Sequence, residues 1–344
     1  MKTVALIVLI TALALAIPYV SKTYGLKPIS VADLPSEGAW ATLTQGNLYY
    51  RWYLPSEANS NGQNSQDDAA PSHGEDDRSE AKSNGQAVVL IHGFSTPHFV
   101  WDGARQFFLD AGYEVLVYDH FGRGFSERPS TDYDAQLYVR ALKELLDYQN
   151  LSQPVHLVGY SMGGAILGHF AQIYPDRVKT MSLIAPAGFM TEQPATSSLV
   201  NIPLIGEWLG HMFADNMLVS DITETEMANI DDPFAIPRGE FIIKVGKQMQ
   251  YSGFVESLVS TLRNFNLFNA LESFELVGKL GIPTLAIWGT DDATVPFMGS
   301  EKLLEVIPHT QLVVIDDGGH NITYMQPSIV GPAIVEFLDR SVAD

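Results

Sequence analysis

The sequence predicts an α/β protein with a doubly wound, mostly parallel sheet and an inserted helical segment. Short, continuous apolar runs of strand length alternate with helical patterns, which is typical of parallel strands buried on both faces. One interval of about 90 residues breaks this alternation and carries only helical spacing, so it indicates an insertion. The predicted strands are a first run at 46–54 and further runs beginning at Ala87, Glu114, Val155, Lys179, Pro283 and Gln311.

An apolar N-terminal segment precedes the first strand. Lys2 is followed by an unbroken apolar run from Val4 to Ile17, and polar residues begin at Ser21. Such a run is typical of a signal peptide and is short for a membrane span, which needs about 20 residues. Residues 1–22 could form a core helix, but a cleaved signal peptide and a retained membrane anchor are the two favoured interpretations. Both predict a protein exported or anchored outside the cytoplasm (periplasm, cell envelope or secreted), and the second adds membrane association through the N-terminus.

The first part of the predicted core spans residues 37–189 and contains a polar insertion. Residues 56–86 consist mainly of Asn, Ser, Gly, Gln, Asp and Glu, which cannot form a hydrophobic core, so we expect a disordered acidic insertion. It separates the strand at 46–54 from the strand at Ala87, and we interpret it as the loop of a hairpin. Its acidic cluster at 75–77 could bind a cation, but a solvated run of charges is the simpler interpretation.

The long interval at 190–275 predicts a helical lid, after which the core resumes at 276–344. Apolar stripes with helical spacing occupy three stretches of this interval, which begin at Asn201, Glu240 and Phe254. Open α/β sheets bind their ligands beyond the carboxyl ends of the strands. We therefore place the lid over that edge of the sheet.

Charge and composition exclude several functions. The formal net charge of −20 argues against a nucleic acid partner, because a polyanion would approach against a field of like charge. The chain contains no cysteine, which excludes disulfides, thiolate metal sites and a cysteine nucleophile. A small neutral or cationic substrate fits this charge better.

The most specific motif is Gly-Tyr-Ser-Met-Gly at 159–163, which directly follows the strand at Val155 and directly precedes a helical pattern. In this context G-x-S-x-G forms a nucleophile elbow, a tight strand-to-helix turn that presents the serine. The flanking glycines are needed where a side chain would clash. Ser161 is thus the predicted nucleophile, and a structural serine in a turn is the alternative.

A serine hydroxyl needs a base to take its proton, and the base needs a third group to hold it in one tautomer. The motif G-T-D-D-A-T-V-P follows one late strand, and G-G-H follows the next. His320 is the predicted base, and Asp291 and Asp292 are both candidates for the acid. A metal site of Asp316, Asp317 and His320 is the alternative, but no second histidine lies nearby in the sequence, so we expect no metal.

Acyl transfer also requires donors for the negative oxygen of the tetrahedral intermediate. The backbone N–H groups of Met162, after the nucleophile, and of Phe94, after a glycine that lets the loop turn, are the predicted donors. Tyr160 and Ser95 are candidates for substrate contact, although Ser95 could instead cap the helix that is predicted to begin near Pro97. For His92 we expect a structural role, in which the buried ring fixes the loop by hydrogen bonds.

These motifs make the chain resemble the α/β-hydrolase superfamily over roughly residues 37–344, apart from the acidic insertion. The motifs are HGFS at His92, DHFGRGFSERP at Asp119, GYSMGG at 159–164, and the late pair GTDDATVP and GGH. The superfamily's acid commonly stands in G-x-x-D-x-x-V-P, which corresponds to Asp292, and its base in G-H, which corresponds to His320. The turn at Asp119 resembles the superfamily's D-x-x-G-x-G-x-S, whose role is structural.

The resemblance also reduces the number of reactions that this chain is expected to catalyse. Members that open epoxides or remove halides usually carry aspartate where this chain has Ser161. With GYSMGG and a lid of this size, the chain looks most like carboxylesterases and monoacylglycerol-type lipases. We therefore expect a serine hydrolase that cleaves a small or lipid-like ester without a cofactor.

Two alternatives to ester hydrolysis stay open: a carbon–carbon bond hydrolase with the same triad, and a non-catalytic ligand-binding protein of the same fold. From the lid, Trp208 and Phe254 are the predicted substrate contacts. Neither the natural substrate nor the oligomeric state follows from the sequence.

Overall fold

An eight-stranded sheet forms the centre of the protein. The computed structural model describes residues 2–55, 82–190, 197–215, 218 and 231–343. The strands are β1 (Ala39–Leu43), β2 (Gly46–Tyr53), β3 (Ala87–Ile91), β4 (Glu114–Tyr118), β5 (Val155–Tyr160), β6 (Val178–Ile184), β7 (Thr284–Gly289) and β8 (Gln311–Ile315). Their spatial order is β1-β2-β4-β3-β5-β6-β7-β8. β1 and β2 run antiparallel to their neighbours, and the six strands from β4 to β8 are mutually parallel. The predicted α/β class and mostly parallel sheet are confirmed.

The strand pairing corrects one prediction about the first strands. The strand at 46–54 was expected to form a hairpin with the strand at Ala87, but β4 lies between β2 and β3. The hairpin partner of β2 is β1, through a tight turn at Thr44. β1 is a short edge strand that the sequence analysis did not identify. The connection from β2 to β3 is therefore a crossover past β4.

The predicted acidic insertion at 56–86 falls largely on residues 56–81, which lie outside the described residues, as does the acidic cluster at 75–77. Its last residues are described and hydrogen-bonded. The Asn84 N–H donates to the Gly112 carbonyl over 2.9 Å, and the Glu114 N–H donates to the Gln86 carbonyl over 2.9 Å. The described end of the predicted insertion is therefore attached to the turn before β4 and to the start of β4.

Helices cover both faces of the sheet. They are α1 (Lys2–Thr23), α2 (Arg105–Asp110), α3 (Ala135–Tyr148), α4 (Met162–Ile173), α5 (Ser197–Val200), α6 (Ile205–Asp215), α7 (Arg238–Gln248), α8 (Phe254–Asn264), α9 (Leu271–Gly278), α10 (Gly299–Val306), α11 (Ile322–Met325) and α12 (Pro327–Ala343). α3, α4, α9 and α10 contribute to the apolar cluster on one face of the sheet. α2, α7, α8, α11 and α12 contribute to the cluster on the other. The sheet is thus wound on both sides, as the fold class requires.

Of the helices inserted between β6 and β7, α6 lies beside the N-terminal helix. α6 packs against α8 and against α1. The indole N–H of Trp208 on α6 donates to the Leu15 carbonyl over 2.8 Å, and the Tyr19 ring lies edge-on to His211 with ring centroids 5.3 Å apart. α9 packs on α4 of the core and crosses the predicted lid boundary at 275.

The N-terminal helix α1 is 22 residues long and exposes apolar side chains along its length. Val4, Ile7, Ile10 and Ile17 are each more than half exposed. Among the helices of the described residues, none combines the length and the apolar character that a membrane crossing requires.

Candidate active site

Ser161 occupies the tight turn between β5 and α4. Its backbone has φ 54° and ψ −118°, a positive-φ conformation that is costly for any residue with a side chain. The turn is held by backbone hydrogen bonds of 2.9 Å, from the Ser161 N–H to the Ile184 carbonyl and from the Gly164 N–H to the Ser161 carbonyl. The serine side chain is thereby presented at the carboxyl end of β5, near the middle of the sheet.

Close packing around the turn explains the glycines of the motif. A Cβ at Gly163 would stand 2.3 Å from the Ile91 carbonyl oxygen, and a Cβ at Gly159 would stand 2.6 Å from the Gly163 oxygen. Both are backbone atoms that cannot move aside. The glycines thus allow α4 to begin directly beside β3 and β5.

The structure brings the predicted nucleophile, base and acid into one hydrogen-bonded chain. His320 Nε2 lies 2.9 Å from Ser161 Oγ, and His320 Nδ1 lies 2.8 Å from Asp292 Oδ2. The other carboxylate oxygen of Asp292 accepts the backbone N–H groups of Thr294 and Val295 over 2.9 and 2.7 Å. All three residues are buried, each with at most 9% of its surface exposed. The carboxylate is held by its own loop and aimed at the ring.

Asp291, the competing candidate for the acid, faces solvent. Its backbone has a role nevertheless, since the Asp291 N–H donates to the Gly318 carbonyl over 2.9 Å. The Asp317 N–H donates in turn to Thr290 Oγ1 over 2.9 Å. These two bonds join the loop after β7 to the loop after β8. The acid and the base are therefore held at a fixed separation.

The loop after β3 lies directly against the nucleophile. A Cβ at Gly93 would stand 3.3 Å from the Ser161 Cβ, so the backbone approaches the serine closely. Within the described residues, no protein acceptor takes the backbone N–H of Phe94 or of Met162. Backbone N–H groups that have no protein acceptor among the described residues, on the residues that follow Gly93 and Ser161, suit an oxygen that gains negative charge.

Two buried histidines fix the loop that carries Phe94. The His120 N–H donates to His92 Nε2 over 2.9 Å, so the proton of the His92 ring is on Nδ1, which donates to the Gly93 carbonyl over 2.9 Å. His120 Nε2 lies 3.0 Å from the His92 carbonyl. Burial, reinforced by His120, holds the pKa of His92 well below its usual value, and burial lowers the pKa of His120 to about 3. The rings are therefore neutral, and the expected structural role of His92 agrees with these contacts.

The predicted substrate contacts differ in their surroundings. Tyr160 is buried beside the base, with its ring centroid 5.2 Å from that of His320, and Phe254 is buried in the same apolar cluster as Tyr160. Ser95 is partly buried, and its carbonyl accepts from Gln248 Nε2 over 3.1 Å. Trp208 instead packs against α1. The remainder of the predicted lid includes residues outside the described ranges.

Several residues that organise the site were not predicted from the sequence. Thr290 and Gly318 connect the acid and base loops, and Arg123 is a fully buried cation whose Nε donates to the Phe94 carbonyl over 2.6 Å. For Arg123, the available signal in the sequence was a single arginine between the apolar residues and glycines of its turn. In the described part of the chain, no three potential ligands among His, Asp and Glu are grouped to hold a metal ion.

Two lipases are similar to this chain over most of its length. Lipase 3 of Moraxella sp. (strain TA144) is 28% identical over 250 residues, which cover 69% of this chain and 72% of the lipase. Monoacylglycerol lipase ABHD6 of Mus musculus is 25% identical over 266 residues, which cover 73% of this chain and 75% of that protein.

Solved structures share the fold at lower identity. A bromoperoxidase from Bacillus anthracis superposes with a TM-score of 0.67 at 22% identity, covering 88% of this chain and 99% of its own. A thermophilic esterase from Thermogutta terrifontis gives 0.65 at 22%, covering 89% and 99%. A meta-cleavage product hydrolase from Pseudomonas fluorescens IP01 gives 0.57 at 21%, covering 86% and 95%.

A family model described as the alpha/beta hydrolase family matches residues 88–330. The matched segment extends from β3 to α12 and includes Ser161, Asp292 and His320 with the loops that carry them. The order of the strands, the strand-to-helix turn at Ser161 and the sequence match therefore all indicate the same family. This chain belongs to the alpha/beta hydrolase family.

Proposed function

We propose that this protein is a serine hydrolase that cleaves carboxylic esters through an acyl-enzyme. The observation that carries the proposal is the unbroken hydrogen-bond chain from Ser161 through His320 to Asp292 beside two N–H donors. The names of the relatives, a lipase and a monoacylglycerol lipase, support an ester as the bond that is cleaved.

In the first half of the proposed reaction, Ser161 Oγ attacks the ester carbonyl carbon while its proton passes to His320 Nε2. Asp292 accepts a hydrogen bond from Nδ1–H and stabilises the imidazolium that forms. The N–H groups of Phe94 and Met162 hydrogen-bond the oxyanion. As the tetrahedral intermediate collapses, the imidazolium returns the proton to the departing alcohol oxygen, and the acyl group stays on Ser161.

Water completes the cycle by the same route. His320 Nε2 removes a proton from a water molecule, whose oxygen attacks the acyl-enzyme carbonyl. The second tetrahedral intermediate expels Ser161 Oγ, which recovers its proton from the imidazolium. The products are a carboxylic acid and an alcohol, and the enzyme returns to its initial state.

The apolar cluster that includes Tyr160, whose ring lies beside His320, favours a lipid-like or small apolar ester. Tyr160, Phe241, Phe254 and Leu258 are buried in one cluster, and a lid made from the inserted helices would extend this apolar lining. A carbon–carbon bond hydrolase is the second candidate, which the structural likeness to the meta-cleavage product hydrolase favours. The charge of −20 also disfavours an anionic substrate.

A substrate panel separates the two reactions. We expect p-nitrophenyl esters of increasing chain length to be hydrolysed with kcat/KM at least about 100-fold above that for a vinylogous 1,5-diketone, measured on the same preparation. In parallel, a fluorophosphonate probe should label the protein at Ser161, and Ser161→Ala should abolish the label. Faster turnover of the diketone would replace ester hydrolysis by carbon–carbon bond cleavage, and an unlabelled folded protein would indicate a binding protein.

The location that we propose is outside the cytoplasm, with α1 retained as an apolar anchor at a membrane. The exposed apolar side chains of α1 and its contacts with Trp208 and His211 support this proposal. Cell fractionation measures it, with the full chain expected in the membrane pellet and a chain lacking residues 1–23 in the soluble fraction. Recovery of the full chain from the cytoplasm would contradict the proposal.

A further inference from the structure

Arg123 is a fully buried cation in the turn that follows β4. Its guanidinium donates from Nε to the Phe94 carbonyl over 2.6 Å, from Nη1 to Ser257 Oγ over 2.8 Å, and from Nη2 to Thr261 Oγ1 over 3.0 Å. All three acceptors are uncharged oxygens. Burying a charged guanidinium costs free energy when none of these hydrogen bonds goes to a carboxylate. We therefore expect Arg123 to have a role besides packing.

The hydrogen bond from Arg123 to the Phe94 carbonyl affects the direction in which the neighbouring backbone N–H groups point. In a trans peptide the C=O and the following N–H point in opposite directions, so a bond that holds the carbonyl also aims the N–H. His92 holds the Gly93 carbonyl and thereby aims the N–H of Phe94. Arg123 holds the next carbonyl, that of Phe94, so the peptide groups on both sides of the Phe94 Cα are fixed.

The other side of the guanidinium is held by the inserted helix α8. Thr261 Oγ1 donates to the Ser257 carbonyl over 2.7 Å, so its lone pairs face the arginine. Gly122, with φ +85°, would place a Cβ 2.5 Å from Ser257, so the turn and the helix are in direct contact. The guanidinium is thus clamped between the helical insertion and the loop beside the nucleophile.

We propose that Arg123 is a positioning residue that transmits the placement of the inserted helix α8 to the oxyanion-binding N–H of Phe94. When α8 is seated, Ser257 and Thr261 hold the guanidinium, and the guanidinium holds the peptide after Phe94. When α8 moves away, the guanidinium loses two of its three acceptors, and the Phe94 carbonyl is then held by an arginine that is itself no longer fixed. This inference rests on the proposed function, because it assigns the hole to ester hydrolysis.

Arg123→Met tests the inference in the full-length protein, because it removes the donors and nearly keeps the length. We expect kcat for a p-nitrophenyl ester to fall on the order of 10²-fold, the usual cost of losing one oxyanion donor, with KM within about threefold. A trifluoromethyl ketone, which forms a tetrahedral oxyanion on Ser161, should bind weaker by the same factor as the fall in kcat/KM. Arg123→Lys, which keeps the charge and one donor, should restore part of both losses.

Arg128→Met is the matched control, since Arg128 lies in the same turn and donates to the carbonyls of Ser126 and Gly124 rather than to Phe94. We expect its kcat and its ketone affinity to stay within about threefold of the parent. If Arg123→Met does not fold, the double variant Ser257→Ala/Thr261→Val keeps the arginine and removes its helical acceptors. We expect that variant to lose about three- to tenfold in kcat, with ketone affinity falling in parallel.

Several outcomes would overturn the inference. The first is an unchanged kcat and ketone affinity in Arg123→Met or, where that variant does not fold, in Ser257→Ala/Thr261→Val. The second is a loss in Arg128→Met as large as the loss in Arg123→Met. The third is a fall in kcat that is not accompanied by weaker binding of the ketone. Labelling by the fluorophosphonate probe tests the proposed function independently of the arginine variants. A parent protein that labels at Ser161 and hydrolyses esters sustains the function whatever the arginine variants show, whereas an unlabelled parent rejects the function itself.

Discussion

Ser161→Ala is expected to lower kcat for p-nitrophenyl butyrate by about 10⁴- to 10⁶-fold, because without the hydroxyl no acyl-enzyme can form. His320→Ala should have an effect of the same size, and the double variant should be little worse than either single one, since the two groups act as a unit. The measurement is the steady-state rate at saturating ester, with circular dichroism and the melting temperature recorded for each variant.

Ser182→Ala supplies the matched control for the nucleophile. Ser182 is a fully buried serine on the neighbouring strand β6, and its hydroxyl has no hydrogen-bond partner within the described residues. Its removal should change kcat by less than about twofold. A Ser161→Ala protein that retained more than about one hundredth of the activity would show that another residue is the nucleophile.

Asp292→Asn is expected to lower kcat by about 10⁴-fold while leaving the fold intact. The amide oxygen can still accept the N–H groups of Thr294 and Val295, but an amide NH₂ facing His320 Nδ1 favours the tautomer that carries its proton on Nε2. That tautomer cannot take the proton of Ser161.

Asp291→Asn is the adjacent comparison. Its side chain faces solvent, and its backbone N–H, which bonds Gly318, is untouched by the change, so kcat should stay within about threefold. The two variants are compared by kcat across pH 6 to 9. Equal losses in both, or a loss below about tenfold in Asp292→Asn, would mean that the carboxylate of Asp292 is not the group that orients His320.

Most of the sheet could be predicted because buried parallel strands are continuous apolar runs. β3 and β5, for example, are buried at every position, and no other local structure explains such short runs between helices. β1 was missed because an edge strand with the sequence AWATL has only one buried residue and gives no such signal. The hairpin was misassigned because β4, which separates β2 from β3, is distant in sequence, and strand pairing depends on such non-local contacts.

In the candidate site, too, the residues in local motifs could be predicted, and those that depend on contacts distant in sequence could not. The Ser161 turn and the segments around Asp292 and His320 could be located because each residue stands directly after a strand, in a short motif with characteristic glycines. The structure places Asp292 rather than Asp291 against the histidine. Arg123 could not be assigned from the sequence, since two of its acceptors lie 134 and 138 residues further along the chain.

The order of the strands along the chain has a consequence for biosynthesis. Ser161 and His320 are separated by 159 positions, and the loops carrying Asp292 and His320 follow the last two strands to be translated. A nascent polypeptide still attached to the ribosome therefore carries the hydroxyl long before it carries the imidazole. Such a nascent chain cannot carry out the proposed reaction until the loop after β8 has been translated.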